Sequence, residues 1–241
     1  MAAMMGRLEE GFRHRFRRLL VLVRPRRLEF GVELLMGRAQ DRSRREGIPL
    51  VQALADVYEF TRQRVVRRVE VTGACAVVKP PWARFDDARP PRFVGDRSLL
   101  GLLRWLRAAG YEARESRPTE ALEAVARDPG LVLLTCDAGL LERRVVRDAK
   151  ALVLWLPSTL GLPGQLAMVL RDLGLRPREA RCMACGGALV SARKEQVRPR
   201  IPPRTALWRD EYFLCADCDR LFWEGTHWSR ISSALQAAAG P

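Results

Sequence analysis

Histidine is nearly absent from this chain: His14 and His227 are the only two. A cysteine nucleophile at Cys136 would need a histidine partner, so that chemistry is discounted. No apolar run approaches the roughly 20 residues of a membrane span, and Leu19 to Val23 is too short for the core of a signal peptide. The arginine-rich start resembles a mitochondrial transit peptide, but Glu9 and Glu10 argue against that reading. There is no internal repeat. Cysteine is also sparse. Four of the six fall in two close pairs, which leaves Cys75 and Cys136, too few for a disulfide framework. A reducing, cytoplasmic compartment fits best. Acidic residues are outnumbered, 28 against 42 basic ones, and the net charge is +14, carried largely by arginine. Such a balance calls for an anionic partner, nucleic acid being the usual one, although a GC-rich genome also enriches arginine.

The four paired cysteines are the strongest positive signal. Cys182 and Cys185 form one Cys-x-x-Cys pair and Cys215 and Cys218 the other. Four thiolates so spaced suit one tetrahedral zinc ion, the alternative being plain buried or disulfide-bonded cysteines. Gly186 and Gly187 permit the tight turn that points both sulfurs of the first pair one way. The segment between the pairs can form strands, giving a zinc ribbon over residues 177–241. The zinc would be structural, because a closed four-thiolate site leaves no position for water.

Residues 1–88 form a basic N-terminal region whose fold the pattern does not settle, read as a separate module. Phe12 to Val23 and Leu28 to Met36 show apolar clusters of mixed period, and residues 37–47 read as a polar loop. Pro49 opens a helix with Leu50, Val51, Leu54, Val57 and Tyr58 on one face. Val69 and Val71 alternate with charged residues and predict a strand. Lys79-Pro80-Pro81 and Arg89-Pro90-Pro91 bracket a linker. From Arg92 the pattern becomes alternating strands and helices. Phe93-Val94, Tyr111 to Glu115, Leu131 to Thr135 and Ala151 to Leu156 predict strands. Ser98 is expected to cap a helix carrying Leu99, Leu102, Leu103 and Leu106. Further helices are expected from Pro118, over Leu140 to Val146, and from Pro163. This alternation predicts an α/β domain over residues 89–176, a mostly parallel sheet flanked by helices.

Asp96 and Asp137 each fall just past the end of a predicted strand, the edge where open α/β sheets bind ligands. Carboxylates gathered there, with no lysine nearby in sequence, suit Mg²⁺ or Mn²⁺, which can activate water against a phosphodiester. Aspartates are equally common at such turns as caps.

The segments FVGDRSLLGLLRWLRAAGYEA, LLTCDAGLL and FWEGTHW, in that order around the cysteine pairs, resemble the Mut-seven C-terminal ribonuclease family from about Arg92 to Ala234. The resemblance implies a PIN-like domain followed by a zinc ribbon, and a metal-dependent ribonuclease with clustered acids. Asp96 and Asp137 match two of those acids. Two positions depart from the pattern. Cys136 stands where members carry arginine, and Thr119 where they carry aspartate, with Glu120 beside it as the candidate third acid. Glu120 also suits the first turn of a helix on electrostatic grounds alone. Glu123 and Glu142 are weaker candidates.

For RNA contacts, Arg97 and Arg104 lie about 20° apart on one helix face at 100° per residue. Arg198, Arg200 and Arg204 lie in the basic segment of the ribbon, with Trp223, His227 and Trp228 nearby. Basic residues interleaved with aromatics suit single-stranded or structured RNA. The expectation is a Mg²⁺- or Mn²⁺-dependent ribonuclease. Its rivals are a non-catalytic RNA- or ribosome-binding protein with a decayed acid site, and a DNA-binding regulator.

Overall fold

The computed structural model describes residues 2–72, 85–147 and 151–239. The N-terminal region is three helices: α1 (Ala2–Val21), α2 (Leu28–Glu46) and α3 (Leu50–Thr72). Residues 37–47, expected as a loop, are instead the second half of α2, which ends at Gly47 with a left-handed φ of 65°. Their polarity is that of a helix face turned to solvent, where Arg42 pairs with Glu46 one turn on. Val69 and Val71, expected in a strand, lie in α3. Positions two apart on a helix point in nearly opposite directions, and Val69 is buried while Val71 is 85% exposed. The Lys79-Pro80-Pro81 part of the expected linker lies outside the described residues, whereas residues 89–91 are irregular, as expected.

Four short strands, β1 (Arg92–Gly95), β2 (Ala113–Glu115), β3 (Leu131–Thr135) and β4 (Val153–Trp155), form one sheet. The order is β2-β1-β3-β4, and every neighbour pair is parallel. The central strand β3 is buried throughout, as its LVLLT run requires. The crossover helices are α4 (Leu100–Ala108), α5 (Pro118–Arg127) and the short α6 (Arg144–Arg147). A longer helix, α7 (Leu162–Leu173), comes after β4. Leu102, Leu103 and Leu106 of α4 are buried, the face their spacing predicts.

The cysteine-bearing part is a three-stranded antiparallel sheet, β5 (Leu189–Ala192), β6 (Tyr212–Cys215) and β7 (Leu221–Trp223), in that order. Between β5 and β6 the basic segment folds as two short helices, α8 (Lys194–Val197) and α9 (Pro203–Trp208), rather than as strand alone. An unanticipated helix, α10 (Thr226–Ala239), returns the chain to α7, and its Ile231 and Leu235 are buried there.

The N-terminal helices, read from sequence as a separate module, share one buried core with the sheet, α7 and α10. Phe12 meets the Trp155 ring edge-on, with centroids 5.5 Å apart. A Cβ at Gly11 would stand 2.3 Å from that indole, so only glycine lets α1 seat on β4. Beside it, Arg15 is buried. It donates to the Trp155 carbonyl at 2.8 Å and to the Asp172 carboxylate of α7, while the Tyr58 hydroxyl of α3 donates to the other Asp172 oxygen at 3.2 Å. Burial, then the Asp172 charge, raise the Tyr58 pKa, so the phenol keeps its proton as donor.

One network thus joins α1, α3, β4 and α7. The Arg15 and Asp172 side chains are 5% and 7% exposed. Asp172→Ala would strand a buried guanidinium, and the expected loss is about 3–5 kcal/mol. Urea unfolding tracked by circular dichroism measures it. A single cooperative transition shifted to lower urea is expected. A change under about 1 kcal/mol would show that the pair does not hold these elements together.

Candidate functional site

The cysteine centre forms at two hairpin turns. In the first, the Gly186 amide donates to the Cys182 carbonyl at 2.8 Å, the Cys182 amide to the Gly187 carbonyl at 2.9 Å, and the Gly187 amide to the Cys185 sulfur at 3.4 Å. Gly186 adopts φ 91°, the conformation for which a glycine was expected. In the second turn, the Asp219 amide donates to the Cys215 carbonyl at 3.0 Å and the Cys215 amide to the Arg220 carbonyl at 3.0 Å. The four sulfurs lie within 4.8 Å of one another, with Cys182 and Cys218 3.7 Å apart and Cys185 and Cys215 3.3 Å apart. Thiolates at tetrahedral zinc distances stand about 3.8 Å apart, so the donor set fits that ion. Burial opposes ionisation at Cys215, yet amide donors from Cys218 and Asp217 and the neighbouring thiols lower its pKa to about 7, toward the ligating form.

Arg107 ties this centre to the α/β layer. Its guanidinium donates to the carbonyls of Ala113 (2.7 Å), Met183 (3.0 Å) and Ala184 (2.8 Å). The first cysteine turn is therefore clamped against the end of α4 and the start of β2.

The two predicted acids lie where the topology places ligands, past the C-terminal ends of the adjacent strands β1 and β3. Each also caps the turn next to it. One Asp96 oxygen accepts from the Ser98 amide at 2.8 Å and from the Ser98 hydroxyl, so Asp96, not Ser98, caps the start of the helical segment. One Asp137 oxygen accepts from the Gly139 amide at 2.9 Å, and the Asp137 amide donates to the Thr135 hydroxyl at 3.0 Å. The second oxygen of each carboxylate accepts no hydrogen bond among the described residues. Next to Asp137, the Cys136 carbonyl accepts from the Trp155 indole of β4 at 3.2 Å. Burial, then the Asp96 charge, push the Cys136 thiol up to about 11 against a hydrogen bond with Ser98, so it stays protonated and is no nucleophile. His14 offers no help. It lines a small cavity against β4, and burial with Arg18, Arg17 and Arg15 lowers its pKa to about 4.

Glu120 forms no group of ligand atoms within 4.8 Å with the two aspartates among the described residues. It is exposed in the first turn of α5, 3.8 Å from Arg117. Glu123 pairs with Arg127 along the same helix, and Glu142 lies beyond Asp137 at the end of the adjoining turn. Among the described residues, the four cysteines are the only group of three or more candidate metal ligands gathered within 4.8 Å. The expected convergence of three carboxylates is absent from that set.

Arg97, Arg104, Arg198 and Arg204 are exposed. Arg200 is committed to the second cysteine turn, where it donates to the Asp219 carboxylate at 3.0 Å and to its carbonyl. Trp223 packs on the small cluster of Val197, Ile201 and Tyr212, and Trp228 packs against the main core. Both are half-buried packing residues rather than open stacking surfaces. The side chain of His227 lies outside those described. The aromatic that sequence reasoning passed over is Trp208. It is 81% exposed at the end of α9, beside Leu207 at 76%, with Arg204 one turn before and Arg209 next to it. A tryptophan set among arginines in the RTALWRD stretch was the available signal.

A family model described as the Mut7-C RNAse domain matches residues 91–235, more than half of the chain. No curated protein and no solved structure matches it. The match spans the parallel sheet, both aspartates and all four cysteines.

The cysteine geometry leads to a direct expectation. Protein purified without chelator carries one zinc per chain, and Cys215→Ser loses it along with hydrogen-exchange protection over β5 to β7. A four-cysteine structural zinc contributes on the order of 10 kcal/mol or more to such a module. Elemental analysis finding no zinc in the unmodified protein would overturn the assignment.

Proposed function

The chain belongs to the Mut7-C RNAse domain family, and from that premise we propose that it is a metal-dependent ribonuclease whose ribbon binds the RNA. The observation that carries the reading is the placement of Asp96 and Asp137 at the ends of neighbouring parallel strands, each with a carboxylate oxygen unused by its cap. These two residues would hold Mg²⁺ or Mn²⁺, hard cations that take carboxylate oxygen. The ion, when bound, supplies activation of water and charge stabilisation at the phosphodiester. The capping bonds fix the orientation of both carboxylates before any ligand arrives. Trp155, through the Cys136 carbonyl, holds the turn that carries Asp137. In this reading Arg97 and Arg104, exposed on the first turn and helix after Asp96, meet flanking phosphates. Zinc-ligating thiolates need a reducing compartment, which supports a cytoplasmic location.

On the ribbon, Trp208 is the base-stacking residue of this reading, and Arg198 and Arg204 make its phosphate contacts. Stacking of an unpaired base on an exposed indole is worth about 1–3 kcal/mol. One observation favours the second reading, a non-catalytic RNA-binding protein: no group of three ligand atoms within 4.8 Å includes Asp96 or Asp137 among the described residues.

Cleavage of labelled single-stranded RNA in Mg²⁺ or Mn²⁺, against an EDTA control, separates the two readings. Asp137→Asn keeps shape and removes charge. Cleavage is expected to fall by about a hundredfold or more, on the scale of lost transition-state stabilisation, with folding and RNA affinity retained. Glu120→Gln is the accompanying test of the third acid. A fall of more than about tenfold assigns Glu120 to the ion, and no change returns it to its helix-end role. Cleavage surviving both EDTA and Asp137→Asn rules out the mechanism, and no cleavage by the unmodified protein favours the binding protein.

The ribbon makes its own prediction. Trp208→Ala with Arg204→Glu is expected to weaken RNA binding at least tenfold. Affinity of the unmodified chain should drop steeply from low salt to about 0.15 M. Affinity independent of salt contradicts the electrostatic account.

A further inference from the structure

We propose that the groove between α2 and α3 is a second binding site for single-stranded RNA, distinct from the acids and from the ribbon. The polymer's identity as RNA rests on the ribonuclease reading; the site itself rests on the shape, lining and charge of the groove. The groove measures about 530 Å³ and is floored by Val23, Leu35 and Val65. Arg38 of α2 rims one side, and Phe60, Arg64 and Arg68 of α3 rim the other. None of its lining residues is acidic.

Phe60, Arg64 and Arg68 succeed one another at four-residue spacing, so they form one stripe with about 6 Å of rise per step. Phe60 is 58% exposed, and the Arg64 guanidinium leans over its ring, 5.7 Å from the centroid.

Some arginines of the helical layer are neutralised by ion pairs, and others, Arg38 and Arg64 of the groove among them, are not. At the seam of α1 and α2, Arg13 pairs with Glu33 and Arg17 with Glu29. Arg42 pairs with Glu46 and Asp56, and Arg62 with Glu59. Arg38 and Arg64 have no carboxylate partner among the described residues. Ion pairs thus neutralise the seam of α1 and α2, while Arg38 and Arg64 stand beside an apolar floor and an exposed aromatic ring.

That combination matches an unpaired strand: phosphates for the guanidiniums, and a base for the ring and the floor. Duplex fits poorly, because its bases are already stacked and cannot enter a groove. An anionic membrane surface fits less well too. Interfacial helices bury a wide apolar face in the lipid, whereas Val32, Met36, Ala39, Ala53 and Leu54 are turned into the core and leave only Phe30 and Leu34 of α2 and Phe60 and Val71 of α3 as exposed large hydrophobics.

The test is fluorescence anisotropy of a short labelled oligouridylate with the full chain over a salt series. Arg38→Glu with Arg64→Glu is expected to raise Kd at least tenfold and to flatten the dependence of log K on log salt by about 1.4, the value for two phosphate contacts on a single strand. Phe60→Ala is expected to raise Kd about fivefold or more with the salt slope unchanged. All three positions are exposed, and unchanged thermal unfolding confirms that the variants fold. If both groove variants bind like the unmodified protein while Trp208→Ala with Arg204→Glu weakens binding, the groove proposal is overturned and the ribonuclease reading stands. If the unmodified protein binds no oligouridylate at any salt, both fall. Loss of binding to phosphatidylserine vesicles in the groove variants, with RNA affinity unchanged, overturns the proposal in favour of a membrane surface.

Discussion

A guanidinium buried beneath α1 has to find a carboxylate and a carbonyl, and Arg15 finds both only if three separate parts of the chain are in place. Asp172 comes from α7, the Trp155 carbonyl from the edge strand β4, and Tyr58 from α3 supplies the hydroxyl that completes the carboxylate's partners. The cost of leaving such a charge alone exceeds what any one helix–helix contact contributes. Attachment of the N-terminal helices is therefore specified as well as favourable. Gly11 against the Trp155 indole and Phe12 against its edge fix the same seam sterically. Trp155 in turn reaches the turn that carries Asp137 through the Cys136 carbonyl. The helical layer and the proposed acid site thus touch the same indole from two sides.

Arg107 plays the corresponding part at the other end of the molecule. Its three carbonyl contacts join β2 to the first cysteine turn. Two arginines, each using a planar array of donors that lysine lacks, hold the α/β layer to the N-terminal helices on one side and to the cysteine module on the other. In a chain with 42 basic residues, the structural arginines are distinguished by burial and by carbonyl partners, and the remainder form the charged surface.

Much of this was legible in sequence from Arg92 onward. The alternation of short apolar runs with leucine-spaced helices marks the parallel sheet, and the cysteine spacing marks the ribbon. Before Arg92 the helices were hard to read, because arginine stems cover apolar surface while their heads stay wet, which blurs the helical period. Residues 37–47 look like a loop by polarity, yet they are a helix with one wet face. Val69 and Val71 imitate strand alternation at a helix end. Position along the chain placed Asp96 and Asp137 at the ends of two strands, which are neighbours in the sheet, but spacing alone cannot say which side chains surround them. For the ribbon, composition could not tell the half-buried Trp223 and Trp228 from the exposed Trp208, because exposure there is decided by the fold around the short helix α9.

The return of α10 to α7 changes what kind of object the ribbon is. With Ile231 and Leu235 buried in the main core, the cysteine module is anchored to the α/β body at both ends. It is an insertion, not a tail. If the metal were lost, the released segment would be a closed loop of roughly 50 residues, whose ends stay near each other and whose closure entropy has already been spent in folding the body. Each cysteine pair would remain at a high effective concentration relative to the other. Gathering the four thiolates around an incoming ion is then an intramolecular rearrangement within a preformed frame, and chain synthesis must reach α10 before that frame exists.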